Sequence, residues 1–141
     1  MKSTKIIEIL SALLILLWVY TAVSKVANAE EFRSQLNNQV FHPEVTSVLF
    51  YLVPLSELVT AALLLFKDTR VIGFLSSLVL MLGFTIYIIL ILTGTFHRVP
   101  CSCGGVLQTL GWKSHLVFNL VFTAIAASGL LFIFKERRLE N

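Results

Sequence analysis

The chain has 141 residues, of which 57% are hydrophobic and 13% charged, and its mean hydropathy is +0.87. That is roughly half the charge of an average soluble domain, which excludes an ordinary water-soluble globular protein. The net charge of +3 does not point to nucleic acid either, because the Lys and Arg residues fall at the ends of apolar segments and form no basic stripe with interleaved aromatics.

Four segments reach the roughly 20 apolar residues needed to cross a hydrocarbon core about 30 Å thick. They cover about 6–26, 48–66, 71–95 and 115–134. In lipid only helices or closed barrels satisfy their own backbone, and these runs lack the alternation of barrel strands. The expected fold is all-α, a single membrane domain over 1–141 forming a four-transmembrane-helix bundle. No internal repeat or low-complexity stretch interrupts it.

The first span begins with Lys2 and Lys5 and is followed by "ANA" at Ala27 to Ala29, a pattern shared with cleaved signal peptides. Its apolar run exceeds the roughly 7 to 15 residues of such a region, so it reads as a retained span. Lys25 stands near the end of this span. In the loop that follows, Phe32, Leu36, Val40 and Phe41 recur at helical spacing with Glu30, Glu31, Arg33 and Gln35 on other faces. This predicts a short amphipathic helix on the membrane surface, stopped by Pro43.

The second span carries Pro54 and Glu57. Glu57 lies roughly 13 Å below the surface at 1.5 Å per residue. Ionisable groups at such depth face the interior or pair with one another. The expectation is a structural ion pair between Lys25 and Glu57 that fixes the first two spans, with proton handling by Glu57 as the alternative.

Lys and Arg residues set the orientation. Lys2, Lys5, Lys67, Arg70, Lys135, Arg137 and Arg138 share one side with both termini; Lys25, Arg33, Arg98 and Lys113 lie on the other. The excess places the termini in the cytoplasm. In a bacterial inner membrane the segment after the third span then faces the periplasm, an oxidising compartment.

That segment, "HRVPCSCGGVLQTLGWKSH", holds both cysteines of the chain, Cys101 and Cys103. A zinc site with His97 and His115 is arithmetically possible but lacks the usual spacing, so no metal is expected. A structural bond between residues two apart closes almost no loop and stabilises little. A reactive pair fits better: a small strained ring exchanges readily, Pro100, Gly104 and Gly105 shape the approach, and Arg98 and Lys113 favour thiolate. At the start of the fourth span, Trp112, His115 and Asn119 offer an aromatic wall, a proton-trading group and a hydrogen-bond donor, a candidate site for a quinone. Their other reading is an interfacial belt and a helix-bridging amide. Ala124, Ala126, Ala127, Ser128 and Gly129 read as a helix-packing patch.

The four-span plan, "YTAVSKV" from Tyr20 to Val26, "VPLSELVTAALLL" from Val53 to Leu65 and "PCSCGG" from Pro100 to Gly105 resemble the MauE/DoxX group of redox-associated membrane proteins, nearest its MauE branch. The resemblance implies a role assisting disulfide formation in exported proteins beside a thioredoxin-like or other cysteine-containing partner, with membrane lipid as the surroundings. The plan is also similar to that of DsbB and vitamin K epoxide reductase, which pass electrons to a quinone. Those enzymes use two cysteine pairs and this chain has one. The expected function is therefore thiol-disulfide oxidoreduction through Cys101 and Cys103, with a non-catalytic membrane anchor for a partner as the alternative.

Overall fold

A computed structural model describes residues 2–38, 41–95 and 111–140. They form five helices and, among the described residues, no strand: α1 Lys2–Ala27, α2 Ala29–Asn37, α3 Pro43–Leu65, α4 Arg70–Leu92 and α5 Trp112–Glu140. Helices α1, α3, α4 and α5 are long and apolar enough to cross a membrane, and they make the chain a multi-pass membrane protein. Leu16, Leu55, Val79 and Leu131 project outward, as a hydrocarbon solvent requires.

Helix α2 is the amphipathic helix of the first connection. It docks through Phe32 and Leu36 and leaves Glu30, Glu31 and Arg33 exposed. Its end differs from expectation: α2 stops at Asn37, and Pro43 opens α3 instead of closing α2. Proline lacks an N–H and has a preset φ, which suits the first helical position, where the N–H would have no partner. Phe41, exposed between the two helices, stacks on Tyr87 of α4 at 6.4 Å.

The other ends are closed by local bonds. Gly94, at φ 71°, lets the chain turn back after α4 so that Gly94 N–H reaches the Ile91 carbonyl at 3.1 Å and Thr95 N–H the Leu90 carbonyl at 3.2 Å. This double bond satisfies carbonyls the helix leaves open, and its left-handed residue favours glycine. Between α3 and α4, the Thr69 hydroxyl donates to the Leu63 carbonyl at 2.8 Å and Arg70 Nε to the Leu64 carbonyl at 3.2 Å.

Helix α1 packs on α3 and α5, and α4 packs on α5 and α3. The remaining pairs, α1 with α4 and α3 with α5, are therefore diagonals of a four-helix bundle. Successive spans run up and down, so the connection containing α2 and the two residues bordering 96–110, Thr95 and Gly111, lie at one end. The turn Phe66 to Thr69, the start of α1 and the end of α5 lie at the other. There the Ser3 and Thr4 hydroxyls of α1 both donate to Glu136 Oε1 of α5 at 2.7 Å.

Candidate functional site

The interior of the loop-side half is polar. Along α1, Ser11, Trp18 and Lys25 recur at intervals of seven, so they share the stripe that faces the bundle and all three are buried. Trp18 Nε1 donates to Ser77 Oγ of α4 at 2.9 Å, a direct bond across one diagonal. Lys25, in the last turn of α1, extends its ammonium to Glu57 Oε1 of α3 at 2.7 Å, and the two side chains are only 3% and 1% exposed. Lys25 Nζ also lies 3.4 Å from the Thr21 carbonyl and 5.9 Å from the centre of the Phe32 ring, so α2 roofs the charge with an aromatic face.

From α5, His115 and Asn119 stand one helical turn apart on the same face, and both are buried. Together with Thr21 and Glu57 they line a cavity of about 20 Å³, whose other walls are Leu17, Trp18, Met81, Phe84 and Phe118. The Thr21 hydroxyl donates to the Trp18 carbonyl at 3.1 Å and also stands beside the Glu57 carboxylate. Two buried polar atoms, Glu57 Oε2 and Asn119 Nδ2, have no partner among the described residues. Trp112 stacks nearly parallel on His115, with ring centres 6.3 Å apart, but does not line the cavity.

A second space lies on the other side of Lys25. This open groove of about 300 Å³ runs between α2, α3 and α4 and is lined by Lys25, Phe32, Leu36, Phe41, Val53 and Tyr87 among others. It is almost wholly apolar; Phe84 borders both spaces, while Lys25 lines only the groove.

Of the residues singled out in the sequence, the fold brings Lys25 to Glu57 and sets His115 and Asn119 around the same carboxylate. Between His115 and Asn119 the described residues leave room for one water molecule. Cys101 and Cys103, with His97, Arg98, Pro100, Gly104 and Gly105, lie outside the described residues. Trp18, Thr21 and Ser77 are interior polar groups the sequence reading passed over; the seven-residue recurrence of Ser11, Trp18 and Lys25 was the signal for the first of them.

A family model described as methylamine utilisation protein MauE matches residues 3–132, and the chain belongs to that family. No curated protein and no solved structure matches it.

Proposed function

From membership of the MauE family, we propose that this chain serves methylamine utilisation as an inner-membrane protein that exchanges disulfides with an exported, thioredoxin-like or other cysteine-containing partner. Cys101 and Cys103 are the exchanging pair, on the periplasmic side, with both termini cytoplasmic. One exchange moves two electrons and two protons between the pair and a partner's two thiols, breaking one S–S bond and forming another.

The observation that carries this reading is the position of the buried polar group. Lys25, Glu57, His115 and Asn119 occupy the half of the bundle to which residues 96–110 are tied, and the His115 N–H bonds the carbonyl of Gly111, which follows that segment, at 3.0 Å. A bilayer interior tolerates such groups at a cost, and they mark the pathways of charge and protons in membrane proteins. The polar group thus supplies fixed charge and hydrogen-bonding capacity in the half of the bundle that holds Thr95 and Gly111.

Equilibration in glutathione buffers tests the proposal. A working pair titrates within the range of known exchange proteins, roughly −120 to −230 mV, whereas an inert structural bond lies below about −300 mV. Cys101→Ser or Cys103→Ser should trap a mixed disulfide with the partner, because one thiol attacks and the resolving thiol is gone. If neither single variant traps a partner and the double replacement leaves partner oxidation unchanged, the non-catalytic anchor takes this reading's place.

A further inference from the structure

The cavity between α3 and α5 contains a contradiction in its bonding that one small ligand removes. Glu57 Oε2 is an acceptor without a donor and Asn119 Nδ2 a donor without an acceptor, and both residues are at least 97% buried. Buried polar atoms are nearly always hydrogen-bonded, and the exceptions call for a missing partner. Both residues line the same cavity, whose roughly 20 Å³ exceeds the minimum of about 10–15 Å³ that a water molecule needs.

The two atoms also define the ligand's chemistry. It must accept a bond from an amide N–H and donate one to a carboxylate oxygen. A metal cation cannot accept from the amide, and Lys25 already compensates the carboxylate's charge at 2.7 Å. An anion cannot donate to Glu57. The room beside Leu17, Met81 and Phe118, about 20 Å³, matches a molecule the size of water.

We infer that the cavity is a single-water site in which one water accepts from Asn119 Nδ2, donates to Glu57 Oε2 and faces His115. Buried waters typically make about three hydrogen bonds, and Glu57, His115 and Asn119 in the cavity wall offer partners for them. The site has two consequences. It links α3 to α5 across the diagonal left open by direct packing, just as Trp18 and Ser77 link α1 to α4. It also connects the Glu57 carboxylate to the His115 imidazole through a molecule that both accepts and donates, which gives a proton a route between two titratable groups inside the bundle. This inference rests on the cavity alone, and its failure leaves the thiol exchange untouched.

The test uses the full chain in lipid nanodiscs, in a structure resolved well enough to show ordered water. Density within hydrogen-bond distance of both Glu57 Oε2 and Asn119 Nδ2 is expected; an empty cavity overturns the inference. The thermal stability of Asn119→Leu gives an independent readout. With a water present, the substitution expels it and strips Glu57 Oε2 of its donor, so the melting temperature falls. In a dry cavity the same substitution removes an orphaned amide and fills space, so an unchanged or raised melting temperature also overturns the inference. If Asn119→Leu does not fold, the density in the unaltered chain decides.

Discussion

The two halves of this bundle differ in where their buried ionisable groups lie. Toward the chain ends, Ile7, Leu14, Leu64, Phe74, Ala126 and Ile133 close into an apolar core. Small residues there bring the helices together: a Cβ on Gly129 would overlap the Phe74 ring, and one on Gly73 would come within 2.8 Å of the Leu64 backbone nitrogen. Toward the loops the interior adds Lys25, Glu57, His115 and Asn119. The first half has what cohesion between helices in lipid demands, which is close packing of small and apolar groups. The second half spends desolvation energy that cohesion does not require, since well-packed apolar residues replace a buried ion pair without loss in many proteins. Among the described residues the contrast puts the buried ionisable groups Lys25, Glu57 and His115 in the loop-side half.

The sharpest break in that contrast comes from separating the ion pair. Glu57→Leu or Lys25→Met alone leaves a buried charge uncompensated and should cost about 3–5 kcal/mol, while the double variant Lys25→Met/Glu57→Leu should stay close to the parent. Unfolding in detergent measures both, and a double variant as unstable as either single one would show that the pair is needed for cohesion after all. In the apolar half, Gly129→Ala forces a methyl against Phe74 and should cost about 1–3 kcal/mol while leaving the redox poise of Cys101 and Cys103 unchanged. A shifted poise in that variant would blur the division. The smallest effect belongs to Trp18→Phe, which removes the donor to Ser77 and should cost about 0.5–1.5 kcal/mol. Unchanged stability would mean the α1–α4 bond contributes nothing net.

Much of this division was legible in the sequence, for reasons specific to lipid. Four long apolar runs admit little besides helices, so the spans, the amphipathic α2 and the candidates Lys25 and Glu57 stand out against a greasy background. Pro43 was misread because proline both ends and begins helices, and only the structure shows which neighbour it joins. His115 and Asn119 were seen to share a face, but the water-sized cavity depends on how α1, α3, α4 and α5 meet, which no periodicity encodes. Ser77 resembles any small residue of a span until Trp18 from another helix reaches it. Cys101 and Cys103 remain known from their chemistry and spacing, as they lie outside the described residues.

The central claim is that the buried polar half serves the cysteine segment. It is tested most directly by the ratio of dithiol to disulfide at Cys101 and Cys103, trapped by alkylation in intact cells. The comparison is between the parent and the Lys25→Met/Glu57→Leu variant at equal folded levels. The account predicts both forms in the cycling parent and a pair held almost wholly in one form in the variant. The same ratio in both chains would contradict it, leaving Lys25 and Glu57 as a packing device with no part in the redox chemistry.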